Sequence, residues 1–293
     1  MTEFNYRMVE EVAKELYIRA LKRLPPDVKG ALEKAFQRET NETAREIFRT
    51  ILKNIEVAEE QDLLVCQDTG LPIYFVSIGS KFQVDGARIA KALENGAKRA
   101  TLEHPFRGSS THPLNRINPQ TSVGSGLPVI HWEFDESADY LDILMIPKGS
   151  GSENMSAMKM FIPADGVRAL KKFVLDRVIE SGANPCPPGV IGVGIGGTSD
   201  LVGVLAKKAI ARPVGSKNPD PQSARLEDEL LEAINATGIG PMGLGGDTTA
   251  LAVHVESAYT HITQNPVAVN TQCWPARRAR GKIYADGRVE YGY

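Results

Sequence analysis

Three cysteines, Cys66, Cys186 and Cys273, are the residues of this sequence best suited to chemistry, and each lies in a polar segment rich in turn residues. An odd number of cysteines argues against a closed disulfide framework. They are widely separated in the sequence, whereas zinc ribbons use closely spaced C-x-x-C pairs and ferredoxins use clustered cysteines. Each could simply be a small buried hydrophobe. Three thiolates drawn from distant loops also suit a cubane iron–sulfur cluster that leaves one iron open to a substrate oxygen. Spacing alone does not decide between these alternatives.

Two glycine-rich segments are further candidates for ligand binding. The segment GIGPMGLGGD, from Gly238 to Asp247, could bring backbone N–H groups close to a ligand, or it could be a connection between core strands. Gly192, Gly194 and Gly197 match G-x-G-x-x-G. A dinucleotide site also needs an acidic residue after a second strand, but residues 211–221 are predicted to form a loop. A dinucleotide site is therefore not favoured.

Composition restricts the possible partners. The formal net charge is −2, which provides no long-range field for nucleic acid or for an anionic membrane. The hydrophobic content of 42% is sufficient for a substantial core. The N-terminal segment carries acidic residues and lacks the apolar core of a signal peptide, and no apolar run approaches the ~20 residues of a transmembrane helix. We therefore expect a cytoplasmic protein without nucleic-acid or membrane partners.

The periodicity of apolar residues predicts the elements that position these candidates. A three- to four-residue spacing predicts amphipathic helices in an N-terminal helical part of about residues 1–60 and in several later segments. The predicted helices cover about 6–24, 27–38, 41–55, 85–104, 165–181, 201–210 and 223–237. β-Branched and aromatic runs predict strands over 63–65, 73–78, 129–134, 140–146 and 190–195. The strands 129–134 and 140–146 are expected to form a hairpin.

These elements predict an α+β fold in which partly antiparallel mixed sheets are flanked by helices. We expect residues 1–293 to form a single, intimately packed unit. The segment 107–126 has no periodicity, which is typical of a functional loop or of disorder, and it contains Arg116. The basic cluster from Arg277 to Lys282 is interpreted as a surface or subunit contact.

Several motifs, in order along the chain, resemble class I fumarate hydratases. They match the cluster-bearing α half of that family, which includes the α subunits of two-chain fumarases and of L-tartrate dehydratases. The resemblance covers about residues 6–285. It rests on Cys66-Gln67-Asp68-Thr69-Gly70, KGSGSEN (Lys148–Asn154), NPCPPGVIGVGIGG (Asn184–Gly197), GIGPMGLGGD, Cys273-Trp274 and His261.

The resemblance implies an oxygen-sensitive [4Fe–4S] cluster on the three cysteines and reversible addition of water to the double bond of a small dicarboxylate. It implies that Asp68 and His261 are the catalytic residues, contacting the carboxylate and the hydroxyl of the substrate. Gln67, Arg116 and the backbone N–H near Gly149 would bind the carboxylates.

Two departures from the family pattern bear on the function. The sequence ends at Tyr293 without the β half that supplies the family's proposed general base, so we expect a separate β subunit in an (αβ)2 assembly. The segment from Arg116 to Gly126 differs from the usual fumarase loop but retains the arginine. The expected activity is the interconversion of fumarate and malate in the tricarboxylic acid cycle. Alternatives are L-tartrate dehydration, mesaconate hydration, or a non-catalytic module that binds a metal or senses redox state.

Overall fold

A computed structural model describes residues 4–293 of the chain. The α-helices are α1 (Tyr6–Lys22), α2 (Pro26–Arg38), α3 (Glu42–Glu60), α4 (Gly86–Glu103), α5 (Ser150–Glu153), α6 (Gly166–Ser181), α7 (Leu201–Ala209) and α8 (Pro221–Asn235). The strands are β1 (Leu71–Gly79), β2 (Val129–Asp135), β3 (Tyr140–Lys148), β4 (Ala157–Phe161), β5 (Gly189–Gly196), β6 (Ala250–Ala258), β7 (Asn265–Gln272), β8 (Ala279–Tyr284) and β9 (Val289–Gly292). Short 3₁₀ turns lie at Pro163–Asp165 and Pro241–Gly243.

Contacts between Cα atoms divide the chain into two compact units, and neither unit is continuous in sequence. Unit 1 comprises residues 4–25, Val57–Gly149 and Arg277–Tyr293. Unit 2 comprises Pro26–Glu56 and Ser150–Ala276. Each unit contains one mixed sheet with helices, which confirms the predicted α+β class with partly antiparallel sheets.

The sheet of unit 1 has the strand order β2-β1-β3-β8-β9. Strand β1 pairs in parallel with β2 and antiparallel with β3, so the predicted hairpin of residues 129–134 and 140–146 is wrong. The short connection between the two strands crosses the end of β1 instead. Gly79 makes this crossing possible, because a Cβ at that position would lie 2.4 Å from the carbonyl oxygen of Ala138. A strand from earlier in the chain therefore separates two strands that look like a hairpin in the sequence.

The predicted strand at residues 63–65 is also wrong, because this segment is irregular. The Val65 N–H donates to the carbonyl oxygen of Leu21, just before the end of α1, rather than to a neighbouring strand. The segment is thus tied to a helix, which leaves the chain that follows in an irregular conformation up to β1.

Helix α1 packs on the sheet and on α4, and residues of both helices and of the sheet form the main core of unit 1. The helices approach closely at Gly96, where a Cβ would lie 2.5 Å from the carbonyl oxygen of Glu10. Helix α4 is capped by Asp85, whose carboxylate accepts hydrogen bonds from the N–H groups of Ala87 and Arg88. These helices hold β1 and the segment before it in place.

The sheet of unit 2 has the strand order β4-β7-β5-β6, with β5 parallel to β6 and antiparallel to β7. Helix α7 packs against β5 at Gly192 and Gly194, where a Cβ would lie 2.2 Å and 2.1 Å from carbonyl oxygens of the helix. These glycines of the G-x-G-x-x-G match therefore allow a helix to pack closely on a strand.

Within residues 4–293, the longer helices are too polar to cross a bilayer.

Candidate functional site

The segment Cys66-Gln67-Asp68-Thr69-Gly70 links α3 to β1 in unit 1 and is held by hydrogen bonds within it and to residues outside it. The buried hydroxyl of Tyr17 donates to the carbonyl oxygen of Gly70 over 2.8 Å. The Gly70 N–H donates to Asp68 Oδ1 over 3.1 Å, and the Arg107 N–H donates to Thr69 Oγ1 over 2.8 Å. The backbone of this segment is thus fixed at several points although it belongs to no helix or strand.

The carboxylate of Asp68 lies against the backbone of Gly149. A Cβ on Gly149 would lie only 2.6 Å from Asp68 Oδ2 and 3.6 Å from Nη2 of Arg277. Arg277 also donates from Nη1 to the carbonyl oxygen of Asp68 over 2.6 Å. Asp68 is partly exposed, so its carboxylate is both oriented by its neighbours and accessible.

Gln67 is exposed, and its amide is oriented by an arginine. Nη2 of Arg107 donates to Oε1 of Gln67 over 3.1 Å, which leaves the NH2 group of the amide as a donor. Arg116 is exposed on the 107–126 loop and has a positive φ of 59°. Within the described part of the chain, the guanidinium of Arg116 has no protein hydrogen-bond partner, so the arginine of this loop that contacts Gln67 is Arg107.

Cys186 and Cys273 are brought together in unit 2. The Trp274 N–H, directly after Cys273, donates to the carbonyl oxygen of Cys186 over 3.0 Å. The adjoining strands approach closely because Gly189 begins β5, and a Cβ there would lie 1.8 Å from the carbonyl oxygen of Gln272. Cys186 itself has a positive φ of 55°, an uncommon conformation for a residue with a side chain. The fold thus places two of the predicted ligands side by side.

His261 lies at the opposite end of the same sheet. It belongs to the turn between β6 and β7, where the Thr260 hydroxyl donates to the carbonyl oxygen of Gly197, just beyond the last residue of β5. Cys186 precedes the first residue of β5, and an eight-residue strand of this kind spans ~23 Å. His261 is therefore far from Cys186 and Cys273 within one chain.

The ring of His261 is exposed and oriented by Thr263. The Thr263 N–H donates to Nδ1 over 3.2 Å, and the Thr263 hydroxyl lies 2.9 Å from the same atom. Because a backbone N–H can only donate, Nδ1 accepts, and the neutral imidazole carries its hydrogen on Nε2. His261 therefore presents an N–H donor.

The donor chemistry of the three cysteines fits an iron–sulfur cluster. All three are thiols, and no disulfide joins them; Cys186 is exposed, and Cys66 and Cys273 are partly exposed. No group of three His, Cys, Asp or Glu side chains within residues 4–293 is arranged to hold a single metal ion. The cysteines of a cubane cluster bind different irons, so they do not need to converge on one ion.

The glycine-rich segment 238–247 has a structural role. The Asp247 N–H donates to the buried carboxylate of Glu39 over 3.0 Å, and Thr40 donates to the Asp247 carboxylate from its N–H and its hydroxyl. These bonds from Thr40 hold the pKa of Asp247 below its usual value. Gly246 meets Ala44 of α3, which leaves no room for a side chain. The hydrogen bonds of this segment stabilise the junction between α2 and α3.

Sequence reasoning missed three residues that contact the Asp68 segment. Tyr17 fits an amphipathic helix pattern, Arg107 begins an irregular loop, and Arg277 belongs to a basic run that is typical of a surface. The only local signal is the presence of arginines next to turn-rich segments.

Comparison with known proteins identifies the family. Residues 10–282 match the model of the family described as Fumarate hydratase (Fumerase). The chain is 46% identical over 285 residues to a Methanocaldococcus jannaschii protein named "Putative L(+)-tartrate dehydratase subunit alpha". The aligned residues make up 96% of this chain and 99% of the relative. It is also 34% identical over 264 residues to "L(+)-tartrate dehydratase subunit alpha" of Escherichia coli K12, and this alignment covers 90% of this chain and 87% of the relative. The protein is thus a hydro-lyase. The chain belongs to the fumarate hydratase (Fumerase) family.

Proposed function

We propose that this chain is the α subunit of an iron–sulfur-dependent hydro-lyase that interconverts fumarate and malate, with an active site completed by a separate β subunit. The observation that carries the proposal is the oriented carboxylate of Asp68, two residues after Cys66 and in contact with Gly149. The family match supports the reaction type, and the "subunit alpha" names of the relatives support a β partner.

The chemistry explains why such a site needs these residue types. Dehydration of malate expels hydroxide, which is a poor leaving group, and removes a weakly acidic proton beside a carboxylate. Donors that face the substrate carboxylate stabilise the negative charge that develops there in the transition state. An acid–base group commonly contributes ~10²–10⁴-fold.

Cys66, Cys186 and Cys273 would hold the [4Fe–4S] cluster. When bound, the cluster supplies a Lewis acid at the iron that has no cysteine ligand, which favours departure of the substrate hydroxyl. Asp68 would accept a hydrogen bond from that hydroxyl or handle its proton. The NH2 group of Gln67 and the N–H of Gly149 would donate to a substrate carboxylate, and Arg116 would provide a further cation.

His261 would act on the site of a second copy of the chain. The length of β5 keeps it ~23 Å from Cys186 and Cys273 of its own chain, whereas its exposed turn is accessible to a neighbouring molecule. An (αβ)2 assembly contains the two α subunits that such an exchange needs. The Nε2–H group of His261 would then donate to a substrate oxygen.

This exchange of His261 can be tested with mixed assemblies. Complexes that contain both an Asp68→Asn chain and a His261→Ala chain should recover about half of the wild-type activity, since one of their two sites is intact. Each variant alone should be nearly inactive. Mixed assemblies as inactive as the single variants would contradict a contribution from the second copy.

L(+)-tartrate is the second candidate substrate, because both relatives are named for its dehydration. Tartrate differs from malate by one hydroxyl, and the same carboxylate donors and leaving group would serve both. A site built to hydrogen-bond the extra hydroxyl would discriminate strongly against malate, whereas a site without such a partner would discriminate weakly.

The decisive experiment is anaerobic co-expression with the β partner, followed by assays of fumarate, malate, tartrate and mesaconate side by side. We expect the highest kcat/KM with fumarate or malate, and an Asp68→Asn complex should lose turnover but keep its cluster. Higher kcat/KM with tartrate would favour the second candidate. A colourless zinc-bound chain without turnover on any of the four compounds would favour a non-catalytic metal-binding module.

A further inference from the structure

The basic segment 277–282 divides into buried and exposed arginines. Arg277 is only 1% exposed and is among the largest fully buried side chains, and Arg278 is also buried. Arg280 has an exposed side chain that forms a bidentate pair with Asp142. The expectation of a surface segment is therefore wrong for the first two arginines. A guanidinium is buried at high cost unless it is paired and hydrogen-bonded, so its contacts show what it stabilises.

Arg277 donates to the Asp68 segment and lies close to Gly149 in unit 1. Nη1 donates to the Asp68 carbonyl oxygen over 2.6 Å, and Nη2 lies 3.6 Å from the position of a Cβ on Gly149. The Asp68 carboxylate occupies the same space beside Gly149, with Oδ2 2.6 Å from that position. One buried cation thus lies next to both the backbone and the carboxylate of the proposed catalytic aspartate.

We propose that Arg277 is the positioning residue of the active site, which fixes the Cys66–Gly70 segment so that the Asp68 carboxylate faces the substrate. This inference rests on the proposed function, since it gives Asp68 a catalytic role. Arg277 holds the segment at Asp68, and the buried hydroxyl of Tyr17 holds it at Gly70. The two contacts fix successive parts of the turn that contains Cys66, Gln67 and Asp68.

The arginine suits this task better than a lysine. Its planar fork lets two nitrogens of one rigid group face different partners, whereas an ammonium is a single point charge on a flexible stem. A hydrogen bond from a charged donor to a carbonyl is also stronger than one between neutral groups. Burial keeps water from competing for the Asp68 carbonyl oxygen.

The test compares Arg277→Gln and Arg277→Lys with the matched control Arg280→Gln in the anaerobically prepared αβ complex. Arg280 lies in the same segment and also contacts an acidic residue, but it does not contact the Asp68 segment. For Arg277→Gln we expect kcat to fall ~10²-fold with KM changed less than threefold, because a misplacement of about 1 Å at a reacting group has an effect of this size. Arg277→Lys should recover part of the loss, and Arg280→Gln should retain wild-type kcat.

Hydrogen exchange provides a readout that does not depend on turnover. Peptides that cover residues 66–70 should exchange at least tenfold faster in Arg277→Gln, less so in Arg277→Lys, and at the wild-type rate in Arg280→Gln. Unchanged exchange in this segment for both Arg277 variants would overturn the inference, as would equal losses of kcat in Arg277→Gln and Arg280→Gln. If the wild-type complex turns over none of the four dicarboxylates, the proposed function fails, and the exchange measurement still decides whether Arg277 fixes the segment.

Discussion

Gly149→Ala should impair the enzyme without unfolding it. The new methyl group would lie 2.6 Å from Asp68 Oδ2, whereas ordinary contact begins at 3.4 Å, so the carboxylate must move by at least 0.8 Å, the difference between the two. The oxygen is the end of a side chain that can rotate, and Gly149 is not among the residues with a positive φ. The backbone therefore accepts alanine, and the change in the free energy of unfolding should stay below ~1 kcal/mol.

The effect on turnover should be much larger. A shift of this size at the proposed catalytic group corresponds to a loss of about 10²-fold in kcat. The assay is steady-state kinetics of the anaerobic αβ complex, together with thermal unfolding and iron content. Gly86→Ala is the matched control, since a Cβ at that position has no neighbour within 4 Å. If Gly149→Ala retained more than a third of the wild-type kcat, the position of the Asp68 carboxylate would not matter to the reaction, and the reasoning would be refuted.

Three further predictions concern the framework. Gly189→Ala should destabilise the chain by about 3 kcal/mol or more, because its methyl group would lie 1.8 Å from the backbone oxygen of Gln272; a urea midpoint close to that of the control Gly203→Ala would contradict this. Burial raises the pKa of Tyr17 above its usual 10.0, so the stability that its neutral form contributes is present below pH 10 and is lost as the pH rises above it. In urea unfolding between pH 9 and 11, the free energy of unfolding should fall less steeply with pH in Tyr17→Phe than in the wild type, by up to ~1.4 kcal/mol per pH unit. Identical slopes in the two proteins would argue against the burial of a neutral phenol. Asp85→Ala should cost about 1 kcal/mol by removing the cap of α4, which thermal unfolding would detect, and no change in midpoint would show that the cap does not contribute.

The elements that could be predicted from the sequence are those determined by local pattern. The amphipathic repeat from Tyr6 predicts α1, and the cap at Asp85 predicts the start of α4, because both depend only on neighbouring residues. The hairpin prediction for 129–134 and 140–146 failed because β1, which comes from much earlier in the chain, lies between the two strands. Local alternation of residues cannot report such an insertion.

Some residues of the candidate site could likewise be predicted from local motifs, and others could not. The motifs that contain Cys66, Asp68 and Cys186 stand out in the sequence, but the buried position of Arg277 does not, because an arginine in a basic run looks the same whether its guanidinium is solvated or buried. The position of His261 at the far end of β5 likewise follows from the register of the sheet. Local motifs predicted the candidate residues, whereas sheet topology places Cys186 and Cys273 at one end of the sheet of unit 2 and His261 at the other.

Cys66, Cys186 and Cys273 are proposed to hold one iron–sulfur cluster together. The most direct measurement is the iron and sulfide content, with the visible absorption, of the anaerobically reconstituted αβ complex and of three single Cys→Ser variants. We predict about four irons and four sulfides per α chain with a brown colour, and a loss of most of both in each variant. Full iron and sulfide content in any one of the three variants would contradict the claim.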